Sequence, residues 1–170
     1  MMQAIMIREL KEMNNKKNQY CYRYPHPAVT TDCVIFGIKD RRLFVLLIKR
    51  GREPYKNKWA FPGGFLNENE TAEQGAAREL KEETGIEVNF LDQFYTFTDP
   101  QRDSRERVIS IGFISLTRVI KVKGGDDAAK ARWFLIDAIP PLAFDHDKML
   151  QLGLKRLQRK LKEIKRGRTE

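Results

Sequence analysis

Residues 64–86 read Gly-Phe-Leu-Asn-Glu-Asn-Glu-Thr-Ala-Glu-Gln-Gly-Ala-Ala-Arg-Glu-Leu-Lys-Glu-Glu-Thr-Gly-Ile. The stretch predicts one short helix that carries Glu79, Glu82 and Glu83 beside Arg78. Thr71 is a good N-cap, and Gln74 three residues on completes a capping box. Ala72, Ala76, Ala77 and Leu80 favour the helix, and Gly85 stops it. At about 100° per residue, Glu79 and Glu83 fall nearly in register, with Glu82 about 60° to the other side. Arg78 and Glu82 have the spacing of a supporting ion pair. Glu79 and Glu83 repel at that same spacing, by a few tenths of a kcal/mol, unless something positive sits among them. Hard carboxylate oxygens suit Mg²⁺ or Mn²⁺ rather than zinc. By composition alone, a solvated acidic helix face is the commoner explanation of such a run.

The complete spacing changes that balance. Gly64, Glu70, Arg78, Glu79, Leu80, Glu82, Glu83, Gly85 and Ile86 fit the signature of the Nudix hydrolase family, which this stretch resembles without departure. The resemblance implies a loop–helix–loop metal site that cleaves a diphosphate linked to another group. It implies Glu79 and Glu83 as principal metal ligands and Glu82 as a further ligand or water-orienting group. It implies Arg78 and Glu70 as partners bracing the loop on the helix, and the carbonyl of Gly63 as another group facing a metal. It also implies the family's α/β/α sandwich, an α+β fold with a mixed sheet between helices. Pattern alone says only mixed α and β.

Length and composition agree with one globular unit. The chain has 170 residues, 41% of them hydrophobic and 10% aromatic. Residues 1–24 are expected to form an N-terminal extension with a helix over 2–13. Residues 25–170 are expected to form a single domain ending in a basic amphipathic helix. No run approaches the roughly 20 apolar residues of a membrane span, and no apolar leader precedes the domain. Cys21 and Cys33 lack companion ligands and read as reduced thiols, which points to the cytoplasm. Net charge is +9, with much of the excess in residues 155–168. Met149, Leu150, Leu154, Leu157, Leu161 and Ile164 recur there at helical spacing, so the basic residues read as a solvated face rather than a nucleic-acid site.

Outward from the acidic helix, residues 28–38 and 43–49 read as strands joined by a turn at 39–42. Trp59 to Phe61 reads as a short strand, and Pro62-Gly63-Gly64 as a turn into the helix. Residues 87–97 and 107–120 read as a strand pair, residues 131–135 as a last strand, and Asp145 as the cap of the final helix.

Outside the signature, the approach at residues 55–65 resembles an ADP-ribose-hydrolysing subgroup of the family. So do residues 99–103 followed by 107–110, residues 125–129 ahead of 131–134, and residues 144–147. That resemblance implies a nucleoside diphosphate derivative as substrate, a possible homodimer, and no membrane partner. Arg50 ends a strand where it can meet phosphate. Arg102 and Arg107 flank a loop that can reach a diphosphate, since guanidinium matches phosphate oxygens. Phe97 or Tyr95 is a candidate for stacking on adenine, whereas Trp59 and Trp133 read as core. Asp127, with Asp126 beside it, is a candidate extra metal ligand or base, against a plain turn role. His146 reads as a surface or capping-region residue, and His26 is unassigned. Two alternatives remain. One is another Nudix substrate: an oxidised nucleoside triphosphate, a dinucleoside polyphosphate or a nucleotide sugar. The other is an ADP-ribose-sensing transcription regulator, against which the intact acidic signature and the short stretch after Leu150 both speak.

Overall fold

Cys33-Val34-Ile35-Phe36 is an apolar run without polar alternation, the mark of a strand covered on both faces. In the computed structural model, which describes residues 23–122 and 131–166, this run is the middle of strand β1 (Ala28–Lys39) and is fully buried. β1 is paired antiparallel with β2 (Arg42–Lys49) through the turn that the sequence predicts. On its other side it runs parallel to β6 (Val108–Arg118), from Ala28↔Val108 to Ile38↔Arg118. Among the described residues, seven strands make one mixed sheet with the order β3-β2-β1-β6-β5. Here β3 is Trp59–Ala60 and β5 is Asp92–Phe97. Two short strands lie off that path: β4 (Gly63–Phe65) on β1, and β7 (Arg132–Leu135) on β2.

A helix covers each face of the sheet. Helix α1 (Ala72–Thr84) packs on the side of Cys33, Ile35, Leu46 and Phe113, to which it adds Ala76 and Leu80. Helix α2 (His146–Arg166) packs on the side of Val34, Phe36, Val45 and Leu47, to which it adds Met149 and Leu157. The period-2 alternation of β1 thus sends successive side chains into two separate cores. Each fully buried large apolar side chain contributes about 1.5–3 kcal/mol. Strand runs of this length therefore anchor both helices firmly. The result is the expected α/β/α sandwich.

The local signals of α1 are realised. Thr71 accepts from the Gln74 amide and Gln74 reaches back to the Thr71 amide, while Gly85 ends the helix in the left-handed region at φ 70°. Three expectations are corrected. Pro62-Gly63-Gly64 is not a simple turn, because Gly63 and Gly64 belong to β4 and pair with Asp32 and Thr31. The expected strand at 87–97 is shorter and irregular, beginning at Asp92 and shifting register between Gln93 and Tyr95. Asp145 precedes α2, and its carbonyl accepts from Met149, but its carboxylate is committed to Arg102. The expected helix at 2–13, Cys21, and the loop carrying Asp126 and Asp127 lie outside the described residues.

Candidate active site

Strand β4 is closely approached at two positions, by strand β1 at Gly63 and by helix α1 at Gly64. A Cβ on Gly64 would collide with the Glu79 carboxylate, and one on Gly63 with the Thr31 carbonyl oxygen. Gly63 is therefore required by the approach of a backbone, whereas a side chain at Gly64 would displace the end of the Glu79 side chain.

Arg78 organises the outer part of this contact. Its guanidinium grips Glu70 in two-point fashion, Nε to Oε2 at 2.9 Å and Nη2 to Oε1 at 2.6 Å. Nη1 donates to Glu79 at 2.7 Å and to Glu82 at 3.3 Å, and Nη2 also reaches the Phe65 carbonyl at 3.2 Å. Glu70 additionally accepts from the Asn67 amide at 2.7 Å. One arginine thus ties the 65–70 loop to the helix. Arg78 and the Asn67 amide hold the Glu70 carboxyl down to about 2.

Glu83 lies deeper and is differently supported. Its Oε2 accepts the Gly63 amide at 2.9 Å. Burial pushes its carboxyl up to about 8, the charges of Glu79 and Asp32 add to the rise, and the Gly63 N–H and Arg50 oppose it. Asp32, absent from the sequence-based candidates, occupies the β1 position paired with Gly63 and is 8% exposed. The signal for it was an acid inside a strand otherwise read as buried. Ser110 donates a short hydrogen bond to Asp32 Oδ2.

Behind Asp32 stands a second network. Arg102 donates to both Asp145 oxygens, at 3.2 and 2.8 Å, and its Nη2 lies 3.9 Å from Asp32. His146, expected at the surface, is 3% exposed. Its Nδ1 accepts from the Phe61 amide at 3.0 Å, which leaves the proton of the neutral ring on Nε2, 3.6 Å from Asp32 Oδ1. Burial lowers its pKa below the ordinary histidine value, while Asp32 acts in the opposite sense.

The remaining candidates separate. Arg50 is half-buried, donates from Nε to the Pro54 carbonyl at 2.9 Å, and lies over the Phe144 ring at 4.6 Å. Burial lowers its pKa and the Arg105 charge adds to that, whereas Asp103, Glu83 and Asp32 act to raise it. Arg105, not anticipated, therefore shares the field at the site. Arg102 is a buried ion-pair partner rather than a solvated arm toward a ligand. Arg107 is spent on the Thr98 carbonyl at 2.8 Å, which ties the ends of its loop. Phe97 is 2% exposed and belongs to the core, whereas Tyr95 is 47% exposed. Trp59 and Trp133 pack on the cores as expected, and Trp133 donates its indole N–H to the Ile120 carbonyl.

The donor set at Glu79, Glu82, Glu83 and the Gly63 carbonyl consists of hard oxygens, and the negative charge around Glu83 is incompletely offset. That chemistry fits a divalent cation. The side chains are not gathered around one point, however. Glu82 is drawn outward to Arg78 with 60% of its side chain exposed. Among the described residues, no three of His, Cys, Asp and Glu form a ready cage for an ion. No helix of these residues is long and apolar enough to cross a membrane.

Comparison with known proteins accords with this geometry. Residues 26–153 match the NUDIX domain. The chain is 41% identical to an ADP-ribose pyrophosphatase of Methanocaldococcus jannaschii over 83% of its own length and 82% of that protein. It is 32% identical to an ADPR-responsive transcriptional repressor of Acinetobacter baylyi, over 81% of the chain but 57% of the repressor. Its fold superposes on the NUDIX domain of Shewanella oneidensis NrtR, solved with ADP ribose, at a TM-score of 0.74 and 27% identity, covering 86% of this chain and 98% of that one. The chain belongs to the Nudix family. This is a family of hydrolases that generally require divalent metal ions.

Proposed function

We propose that this protein hydrolyses the diphosphate bridge of ADP-ribose, giving AMP and ribose 5-phosphate. The observation that carries the reading is the half-buried Glu83 carboxylate, lodged between Glu79, Asp32 and the Gly63 amide with Arg50 close by. An acid so placed keeps its proton until positive charge arrives, and the metal of a metal–diphosphate assembly would bring that charge. The 41% identity to an ADP-ribose pyrophosphatase, extending over 82% of that protein, supports the choice of substrate.

Glu79, Glu82, Glu83 and the Gly63 carbonyl are the groups that would hold Mg²⁺ or Mn²⁺. When bound, such ions lower the pKa of water and offset charge on phosphoryl oxygens. The protein's own part is positional. Arg78 fixes Glu79 and Glu82 from the side of the 65–70 loop. Arg50 supplies positive charge for an anionic substrate, whereas Arg105 is paired with Asp103 at 2.7 Å. Water attacks one phosphorus, the bridging P–O bond breaks, and two phosphomonoesters leave. Asp127 is retained as the candidate for a further acid. A cytoplasmic location is part of the same proposal.

The repressor likeness favours one rival, an ADP-ribose sensor that binds without cleaving. Purified protein with Mg²⁺ and a panel of ADP-ribose, nucleotide sugars, dinucleoside polyphosphates and oxidised nucleoside triphosphates separates the readings. AMP and ribose 5-phosphate released fastest from ADP-ribose is the expected result. Retained ADP-ribose binding without products, together with salt-dependent binding to a specific duplex, would establish the sensor.

A further inference from the structure

Three segments distant in sequence meet beside the carboxylate site: the loop through Tyr55, the turn at Asp99–Arg102, and the entry to α2 at Phe144–Lys148. They line an open cavity of about 310 Å³, within the roughly 300–1,000 Å³ span of small-molecule sites. Tyr55 stands edge-on to the Phe144 ring at 4.8 Å and remains 43% exposed. Both residues adopt left-handed backbone, Tyr55 at φ 64° and Phe144 at φ 52°. Bulky side chains rarely do so, and such outliers persist where surrounding structure holds them for a purpose.

The cavity is joined to the reacting centre by Arg50. Its guanidinium lies over Phe144 at 4.6 Å and also lies within the field of Glu83 and Asp32. A diphosphate between Glu83 and Arg50 therefore directs one of its substituents toward Tyr55. The charges of the lining indicate what that substituent is. Asp145 and Arg102 neutralise each other at 2.8 Å. Asp99 and Lys148 remain, one negative and one positive. A wall without net charge is poor at holding a second phosphate. It suits a neutral heteroaromatic ring, with Tyr55 offering a stacking surface and Gln101, Asp99 and Lys148 offering donors and acceptors to the ring edge.

We infer that this cavity receives the purine base of the nucleotide half of the substrate, with Tyr55 as its stacking residue and Lys148 at its edge. The assignment rests on the ADP-ribose reading and deepens it, because it states which half of the molecule the protein recognises.

The test binds AMP and ribose 5-phosphate separately, with Mg²⁺, to the wild type and to Tyr55→Leu, Tyr55→Phe and Lys148→Ala, by calorimetric titration. Tyr55→Leu is expected to weaken AMP about tenfold, the scale of a lost base–aromatic stack, and Tyr55→Phe to retain it. Ribose 5-phosphate affinity stays unchanged throughout. In turnover, Tyr55→Leu raises KM for ADP-ribose about tenfold with kcat within about twofold. Lys148→Ala, on an exposed helix position, is expected to weaken AMP about threefold and decides the matter should Tyr55→Leu not fold. Equal AMP affinity in wild type and variants, no AMP binding to the wild type, or parallel loss of both ligands overturns the assignment. Tyr55-dependent AMP binding without ADP-ribose hydrolysis would instead overturn the substrate reading and leave the cavity's role standing.

Discussion

Two polar networks flank Glu83, and they are built in opposite ways. The outer one, Glu70–Arg78–Glu79–Glu82, comes from a single loop–helix segment and is partly open to solvent. The inner one, Asp32–Ser110–Arg102–Asp145–His146, draws on strands β1 and β6, the loop before β6, and the entry to α2. Its members are almost wholly buried. Exposed ion pairs add little to stability, so the outer network serves chiefly to orient groups. Buried charges must be compensated wherever they occur, so the inner network also holds the fold together.

Substitutions can break or sharpen that contrast. Glu83→Gln, at the junction of the two, should lower kcat/KM on the order of 10³-fold while leaving the thermal midpoint intact or higher, as followed by product release and calorimetry. A near-normal rate in that variant would remove Glu83 from the site. Asp145→Ala leaves the buried Arg102 guanidinium with only Asp32 at 3.9 Å for a partner, so it should cost about 3 kcal/mol in urea unfolding. Arg102→Met in the same chain should recover much of that loss, since it removes the stranded charge. If the single variant unfolds like the wild type, the inner network is not structural. Glu70→Gln in the outer network should reduce activity about tenfold by freeing Arg78, with scarcely any change in midpoint. An equal loss of stability there would erase the distinction between the networks.

A further effect concerns pH. A carboxyl raised to about 8 in the folded chain, against 4.5 ordinarily, keeps its proton longer when folded than when unfolded. Its contribution is therefore full below about pH 4.5 and falls away as pH rises through about 8. Metal-free protein should lose on the order of ten degrees of midpoint across that window, at about 2–4 °C per kcal/mol. Saturating Mg²⁺ should restore the midpoint most at the alkaline end, where Glu83 is ionised. Glu83→Gln should remove this component of the slope.

The same contrast explains what could be read in advance. Helix α1, its capping box and its Gly85 stop depend on residues within a few positions of one another, and the spacing of Arg78, Glu79, Glu82 and Glu83 follows from helix geometry. Strand β1 was legible because an unbroken apolar run needs cover on both faces. Asp32 and His146 were not legible, because their surroundings come from β6, β4 and the loop before β6. Arg102 and Arg107 were placed on the right loop, but sequence alone did not reveal the Asp145 carboxylate or the Thr98 carbonyl that occupies each. Phe97 and Tyr95 lie two apart on one strand, on the same side by simple alternation, yet Phe97 is buried and Tyr95 exposed. Pro62-Gly63-Gly64 has turn composition, yet its glycines serve the close pairing of β4 with β1.

That pairing has a thermodynamic corollary. Gly63 is at once a rung of the central ladder and the donor that seats Glu83. Loosening this cradle would sacrifice cross-strand hydrogen bonds on the most deeply packed strand of the molecule. Amide protons there should exchange with solvent water only by the rare excursions that disrupt the sheet itself. Readiness for catalysis is thereby tied to the folded state, and is already in place before any substrate arrives.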